Sequence, residues 1–276
     1  MRTIRAETFD LALREPGPGL RSDVLVLEDY AEHALAPVRQ RHLPGTFVPL
    51  VLNFGPRYRV RQSAGWSEHA SFAGGLGEAV AVTESPGTAL CVQVNLTPLG
   101  ARRILGVPMH ELAGRVVSLA DVLGRDAARL EERLAEAPGA PARLALVESF
   151  LAGRLDAAEP ARPDAARAWS RLEETGGGLR IGALAAELRC SRRHLAALFR
   201  DHVGVPPKAA ARLLRFERAL PLVEAGVAGA EVARRCGYAD QAHLVNEFRR
   251  FAGTTPAALV RERPVPFLQD AGPRTA

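Results

Sequence analysis

Cysteine is scarce in this chain of 276 residues, which contains only Cys91, Cys190 and Cys236. The three are scattered, and no spacing between them suits a zinc-binding set. This scarcity argues against a disulfide scaffold and is typical of proteins of the reducing cytoplasm. We therefore expect the three thiols to be small buried core residues.

Long apolar runs are absent as well. No uninterrupted apolar run reaches the roughly 18 residues that a membrane-spanning helix needs. The N-terminus carries arginines but lacks the apolar segment of a secretory signal. We therefore expect a cytoplasmic protein without a membrane partner.

Lysine is almost missing, since Lys208 is the only one, and arginine supplies nearly all of the positive charge. Residues 1–175 hold 20 Arg and 22 Asp or Glu, net −2, whereas residues 176–263 hold 15 Lys or Arg and 8 Asp or Glu, net +7. A basic C-terminal third beside a mildly acidic front predicts a module that binds a polyanion. Arginine suits this role because its guanidinium binds guanine or phosphate through two hydrogen bonds.

Motifs of catalysis and of metal binding are missing too. The chain contains neither G-x-S-x-G nor H-E-x-x-H, and His33, His42 and His69 are isolated from one another. We expect no catalytic residue, no metal and no cofactor, and hence no enzyme.

The front of the chain has the pattern of short strands separated by turns. Strands are predicted at residues 24–27, 46–54, 58–61, 78–83 and 88–96, with a turn at Ser85-Pro86-Gly87. Several short strands at this spacing predict an antiparallel β sandwich or barrel over residues 1–97.

From Pro98 onward the apolar spacing becomes helical. Helices are predicted at residues 100–105, 109–113, 118–123, 125–137 and 142–155. An Ala/Pro-rich linker then separates two domains, so the prediction is an α+β protein with a first domain at 1–158, an all-α second domain at 159–265 and a tail at 266–276.

Within the second domain, residues 190–200 predict a short helix that Ser191 caps. Leu195, Leu198, Phe199 and His202 form one buried stripe. The opposite side holds Arg192, Arg193, Ala196, Ala197 and Arg200. A helix of this kind suits a DNA major groove, although an ordinary surface helix with solvated arginines has the same pattern.

An internal repeat favours the DNA interpretation. His194, Leu195, Phe199, Arg200, Gly204 and Pro207 recur 49 residues later as His243, Leu244, Phe248, Arg249, Gly253 and Pro256. Two copies of a short helix, a tight turn and a longer helix predict two helix-turn-helix units. Two such units can place helices in successive major grooves, roughly 34 Å apart.

The repeated units and the segments beside them also carry a family resemblance. The matching segments are Leu184-Ala185, 191–195, 198–200, 204–207, 215–219, 232–233, 236–238, 243–244, 248–251, Gly253 and Pro256. Through these segments, residues 179–263 resemble the DNA-binding domain of the AraC/XylS family of bacterial transcriptional regulators. The resemblance implies a seven-helix domain with two helix-turn-helix units that binds double-stranded DNA. Through residues 97–101 and 119–124, the front 160 residues are more loosely similar to the cupin-like domain of such regulators, which binds an effector or mediates dimerisation.

By position in that family, the DNA contacts fall on Arg192, Arg193, Ala196, Ala197 and Arg200 in the first unit and on Gln241, Ala242, His243, Asn246, Arg249 and Arg250 in the second. Gln241 and Asn246 suit adenine, and alanine can meet a thymine methyl. Arg200, Arg249 and Arg250 are predicted phosphate contacts. His194 and His243 fit packed or capping positions better than base contacts.

An effector pocket in the first domain is predicted around Phe47, Asn53, Phe54, Tyr58, Trp66 and His69, with Arg57 and Phe72 as further candidates. The alternative interpretation is that these aromatic residues simply fill the core of the barrel. Two alternatives are a cupin-type metal-dependent enzyme and a purely dimerising domain, each fused to a DNA anchor. The effector itself is unknown, and RNA polymerase and a second copy of the chain complete the expected partners.

Pro221 falls inside the helix predicted at 208–225. An interior proline removes a backbone hydrogen bond and bends the helix axis. We therefore predict a kink between the two units.

Overall fold

The computed structural model describes residues 1–62 and 65–261. Its N-terminal part consists of two antiparallel sheets followed by helices, and its C-terminal part is all-α, which confirms the predicted fold class. The predicted tail at 266–276 lies outside the described residues.

The strands are β1 (Arg2–Arg5), β2 (Phe9–Arg14), β3 (Val24–His33), β4 (Val38–His42), β5 (Val48–Asn53), β6 (Tyr58–Gln62), β7 (Gly65–His69), β8 (Phe72–Gly74), β9 (Ala81–Ser85), β10 (Thr88–Leu96) and β11 (Val116–Ser118). They form a large sheet in the order β1-β2-β3-β10-β5-β8-β11 and a small sheet in the order β4-β9-β6-β7. Every pairing in both sheets is antiparallel.

Strand prediction was incomplete where polar residues interrupt the apolar alternation. β3 continues six residues past Leu27 because its acidic residues Glu28, Asp29 and Glu32 are buried within the sandwich. The strands β1, β2, β4, β7, β8 and β11 were missed. In β1, β4 and β7 most residues are exposed or half-buried and hence polar, and β8 and β11 have only three residues each. The strand expected at 78–83 begins only at Ala81.

The large sheet is covered on both faces. Tyr30, Val51 and Cys91 on one face pack against Tyr58 and Val60 of the small sheet. The other face contributes its apolar side chains, Leu27, Leu50, Leu52, Val92 and Val94, to the main core that the helices share. Burial on both faces explains why β10 is almost uniformly apolar.

The helices are α1 (Pro98–Leu105), α2 (Leu119–Leu123), α3 (Arg125–Glu136), α4 (Ala140–Ala157), α5 (Pro163–Glu174), α6 (Ile181–Glu187), α7 (Arg192–His202), α8 (Pro207–Glu224), α9 (Gly229–Cys236), α10 (Gln241–Ala252) and α11 (Pro256–Arg261). The helix predicted at 109–113 is only a 3₁₀ turn, Met109–Glu111. Within the described ranges, no helix is long and apolar enough to cross a membrane.

Helix α8 joins the two halves of the C-terminal part. It is continuous through Pro221, which lies in its last turn, three residues before the helix end at Glu224. A proline at this place removes one hydrogen bond near the end of the helix and leaves the turns before it intact. The kink itself stays a prediction.

Candidate nucleic-acid interface and adjoining cavity

Helix α7 presents one buried and one exposed face. Ser191 caps it, because its Oγ accepts a hydrogen bond from the His194 N–H at 3.1 Å. Leu195, Leu198 and Phe199 are buried. The exposed face consists of Arg192, Arg193, Ala196, Ala197 and Arg200. The first predicted contact set thus forms one accessible surface on one helix.

Helix α10 repeats this arrangement with different chemistry. Asp240 is its cap, and the carboxylate accepts from the His243 N–H at 2.7 Å. Leu244 and Phe248 are buried. The exposed residues of the helix include Gln241, Ala242, Asn246, Arg249 and Arg250. The second predicted set is therefore accessible as well, apart from His243.

Both histidines of the repeat make contacts within the domain. The Nδ1 atom of His243 accepts from the Ala239 N–H at 3.3 Å, and its ring lies 5.3 Å from that of Tyr238. The Nε2 atom of His194 lies 3.4 Å from the Asp164 carboxylate. His243 is half-buried, whereas His194 is exposed, and the packed or capping role of both stays a prediction.

We call α7 and α10, the second helix of each helix-turn-helix unit, the recognition helices. The turn before each of them contains one residue with a left-handed backbone conformation. It is Arg189 in the first unit, at φ +52°, and Gly237 in the second, at φ +72°. The two positions are equivalent, since the repeat offset before the turn is 48 residues. Arginine is strained in this region, whereas glycine is not.

The two units are packed on helices of one domain. Phe216 of α8 lies 4.9 Å from Phe248 and 5.1 Å from Phe251, ring centre to ring centre. Phe199 of α7 lies 6.4 Å from Trp169 of α5. Because these rings are almost fully buried, the orientation of each recognition helix is set by core packing.

A cavity of about 180 Å³ lies between the two sheets of the N-terminal domain. Its apolar lining includes Phe47, Val51, Tyr58, Val60 and Phe72. Its polar lining consists of neutral groups, chiefly Gln40, His42, Gln62, Thr83 and Gln93, together with the charged residues Glu78 and Arg115. An apolar site with a few convergent polar groups is the usual form of a small-molecule site.

Burial keeps two titratable groups of the cavity, His42 and Cys91, uncharged. It lowers the pKa of His42 to about 4, so the imidazole is neutral at physiological pH and hydrogen-bonds with Thr83 Oγ1 at 2.8 Å. It raises the pKa of the Cys91 thiol to about 12, and the Cys91 sulfur lies 3.6 Å from the Tyr58 hydroxyl. Across the described residues, no three His, Cys, Asp or Glu side chains are grouped as a metal site.

Glu28 is a buried acidic residue next to the cavity wall. Glu28 pairs with Gln93 across the sheet, is fully buried, and has no hydrogen-bond partner for its carboxyl oxygens within the described part of the chain. Burial raises its pKa to about 8, so the group is mostly protonated at neutral pH.

The predicted effector residues divide into two groups. Phe47 and Tyr58 line the cavity, as does Phe72. The other four, Asn53, Phe54, Trp66 and His69, lie outside the cavity, which corrects the predicted lining. Asn53 donates to the Pro56 carbonyl at 2.9 Å, and His69 hydrogen-bonds with Ser67 at 2.8 Å. The guanidinium of Arg143 lies 5.2 Å from the ring centre of Phe54, and that of Arg59 lies 4.9 Å from the ring centre of Trp66. Arg57 is not part of the lining either. Strand alternation accounts for Trp66, which pairs with Arg61 and therefore faces away from the cavity that Tyr58 and Val60 line. Asn53 and His69 pair with the lining residues Cys91 and Tyr58, but they are the last residues of β5 and β7.

A family profile described as a helix-turn-helix domain matches residues 184–262, from within α6 to beyond α10. This match falls on the duplicated units described above. The chain carries an AraC/XylS-type helix-turn-helix domain. The resemblance seen in the sequence is thus confirmed for the C-terminal part.

Several solved structures are similar to the chain. The C-terminal domain of AraT, a response regulator from Geobacillus stearothermophilus, is 22% identical with a TM-score of 0.35, covering 39% of this chain and 91% of that one. An apo ToxT variant from Vibrio cholerae is 13% identical with a TM-score of 0.48, covering 90% of this chain and 99% of that one. Wild-type ToxT from Vibrio cholerae, bound to an unsaturated fatty acid, is 12% identical with a TM-score of 0.46, covering 94% and 97%. No curated protein matches the chain.

The N-terminal domain contacts the AraC/XylS-type domain near the ends of both recognition helices. At the first unit, the Met109 carbonyl oxygen packs closely against Gly204, and Arg102 forms an ion pair with Asp201 at 3.5 Å. At the second unit, Arg41 donates to the Ala252 carbonyl at 2.8 Å.

Two loops that line the cavity also contact the AraC/XylS-type domain. The Thr46 N–H donates to the Glu217 carboxylate of α8 at 2.6 Å. Glu78 forms ion pairs with Arg212 of α8 and Arg250 of α10. Sequence reasoning missed all of these partners except Arg250, because no periodicity or motif links residues more than 130 positions apart.

Proposed function

We propose that this protein is a sequence-specific transcriptional regulator that recognises DNA with α7 and α10 in successive major grooves. The observation that carries the proposal is the pair of equivalent, capped helices, each with one buried face and one accessible face. An AraC/XylS-type domain supports DNA binding as the general activity. The surplus of arginine in this part of the chain matches the charge of the DNA backbone.

In this proposal the two helices divide the work of recognition. Arg192 and Arg193 supply the polar contacts to bases in the first unit, and Gln241 and Asn246 supply them in the second. Arg200 and Arg249 bind phosphates and set the register of the protein on the duplex. Ala196, Ala197 and Ala242 provide apolar contacts where a thymine methyl faces them.

Selection of binding sites from a random duplex pool with the full-length protein tests this proposal. We expect the enriched sites to contain two elements, with centres about one helical turn, or roughly 10 base pairs, apart. Arg193→Ala should relax sequence preference in one element, and Asn246→Ala in the other. Enrichment of no site, or of a single element that both variants affect alike, would overturn two-helix recognition.

We also propose that a small molecule binds in the cavity between the sheets and modulates the regulator. The apolar lining with neutral polar groups supports an uncharged or weakly polar ligand, since a charged one would lack a counter-ion in most of the lining. The loops of Thr46 and Glu78 connect this cavity to α8 and α10, so they provide a physical route for modulation.

A thermal-shift screen of metabolites with the full-length protein tests for such a ligand. A compound that stabilises the wild type should lose its effect in Ala81→Phe, which adds a ring inside the cavity. Leu90→Phe is the matched control, because Leu90 lies exposed on the opposite side of β10 from Cys91. A compound that stabilises both variants equally binds elsewhere, and failure of every compound would favour a purely dimerising domain.

A further inference from the structure

Glu78 connects the cavity to the second recognition helix. It lies in the loop between β8 and β9 and contributes to the cavity lining. Its carboxylate forms an ion pair with Arg212, Nη1 to Oε1 at 3.2 Å. Its other oxygen accepts from Arg250, with Nε at 3.1 Å and Nη2 at close range. One acidic side chain of the N-terminal domain thus holds two arginines of the DNA-binding domain.

The two arginines differ in how firmly they are held. Arg212 is largely buried, donates to Glu247 at 2.9 Å and lies 5.3 Å above the ring of Phe251. The Arg250 side chain, in contrast, is 53% exposed. Arg212 therefore anchors Glu78, whereas Arg250 can exchange its partner with little rearrangement.

Arg250 lies at the edge of the surface proposed to face DNA. It follows Asn246 by four residues, so the two side chains lie on the same side of α10, one turn apart. Carboxylate and phosphate groups bind a guanidinium through the same donors. While Glu78 occupies the Nε and Nη2 donors of Arg250, a DNA phosphate cannot use them.

The first unit has no such arrangement. By the repeat offset, the counterpart of Arg250 is Asp201 of α7, an acidic residue that forms an ion pair with Arg102 at 3.5 Å. Arg200, the counterpart of Arg249, is exposed, and over residues 1–62 and 65–261 no carboxylate forms an ion pair with it. The N-terminal domain approaches that unit through Arg102 and Met109, neither of which removes a positive charge from the helix.

We propose that Glu78 is an internal competitor of DNA phosphate for Arg250, so that the N-terminal domain weakens DNA binding selectively through the second unit. The inference rests on the proposed DNA-binding function and specifies how that function is regulated. Because Glu78 also lines the cavity, a molecule bound there acts on the same carboxylate. Displacement of Glu78 would release Arg250 toward the phosphate backbone.

The test compares the full-length wild type with Glu78→Gln by fluorescence anisotropy over a range of salt concentrations. The probes are a duplex selected by the wild type and a random duplex of equal length. We expect Glu78→Gln to bind both about two- to fivefold more tightly, the range of a partly exposed ion pair. The dependence of log affinity on log salt should steepen by up to about 0.9, the contribution of one additional phosphate contact.

Two control variants distinguish competition at Arg250 from a general effect of the lost negative charge. Glu68→Gln removes the same charge from an exposed position of β7 and should leave affinity unchanged. In an Arg250→Ala background, Glu78→Gln should have no effect, since the residue for which carboxylate and phosphate compete is gone. Thermal unfolding of each variant checks that the fold is retained.

Equal affinity of the wild type and Glu78→Gln for both duplexes would overturn the inference. An increase that persists in the Arg250→Ala background, or that Glu68→Gln reproduces, would overturn it too. Failure of the wild type to select any site would instead count against the proposed function, and the random duplex would still measure the competition at Arg250.

Discussion

In the first helix-turn-helix unit, the exposed face of α7 combines two arginines with two alanines, Arg192, Arg193, Ala196 and Ala197. The equivalent face of α10 carries the amides of Gln241 and Asn246 instead. In both helices the N-cap side chain accepts from the N–H three residues later, and both bury a phenylalanine at the same repeat position. The two units therefore share the capping and core residues that the fold requires, and they differ in the side chains on the exposed face.

The units also differ in how the N-terminal domain contacts them. At the first unit, Met109 packs against Gly204, and Arg102 forms an ion pair with Asp201. The second has a positively charged residue of its recognition helix, Arg250, bound to Glu78. The contact at the second unit therefore involves a positive charge of α10, whereas the contacts at the first unit involve no positive charge of α7.

The largest expected effects test whether the two cores are equivalent. Phe199→Ala and Phe248→Ala should each lower the free energy of unfolding by about 3–5 kcal/mol, because each removes a buried ring. Chemical denaturation followed by circular dichroism measures both. If one variant is destabilised by less than about 1 kcal/mol, the structural equivalence of the two units is wrong.

The next effect concerns base recognition. Arg193→Ala should weaken binding to the selected duplex by roughly 1–3 kcal/mol and reduce the ratio of specific to random affinity. Asn246→Ala should do the same through the second unit, where an amide can bind adenine through two hydrogen bonds. Titrations on duplexes altered in one element at a time assign each loss to a unit. An unchanged ratio in the Arg193→Ala protein would remove that residue from the recognition surface.

A third comparison uses the left-handed residue of each turn. Gly237→Ala should destabilise the protein by about 1 kcal/mol, because a Cβ is unfavourable at φ +72° although no neighbouring atom would clash with it. Arg189→Gly should be nearly neutral, since relief of strain in the turn is offset by the greater freedom of glycine in the unfolded chain. Denaturation midpoints measure both, and a strong loss in Arg189→Gly would show that the arginine side chain itself stabilises its turn.

The smallest effect concerns the phosphate contacts. Arg200→Ala and Arg249→Ala should each reduce the slope of log affinity against log salt by about 0.9 and change sequence preference little. Anisotropy titrations at four or more salt concentrations measure the slopes. A shift in preference without a change of slope would move either residue from the phosphates to the bases.

Local signals explain why the C-terminal part could be predicted well. The Ser191 cap and the apolar stripes depend on residues a few positions apart, and the repeat is visible as identical residues at one fixed offset, so the sequence displays all three directly. The N-terminal sheets could be predicted only in outline. Strand β3 buries Glu28 and Asp29, and a charged run of this kind gives no sign that its strand continues.

The predicted effector residues show the same limit. Phe47 and Tyr58 were placed correctly at the cavity wall, whereas Phe54 and Trp66 lie elsewhere. An aromatic residue near a strand is a candidate for either face, and one residue of difference in strand register decides between them.

The amino-acid sequence by itself determined two duplicated helices, their caps, their buried stripes and the residues on their exposed faces. Those features depend on neighbours along the chain. Only the tertiary structure decided that Glu78 lies against Arg212 and Arg250, and that the loops of Thr46 and Glu78 belong to both the cavity and the domain contact. Glu78 and Arg250 are 172 positions apart in the sequence, and only the packing of the N-terminal part against the C-terminal part brings such distant charges together.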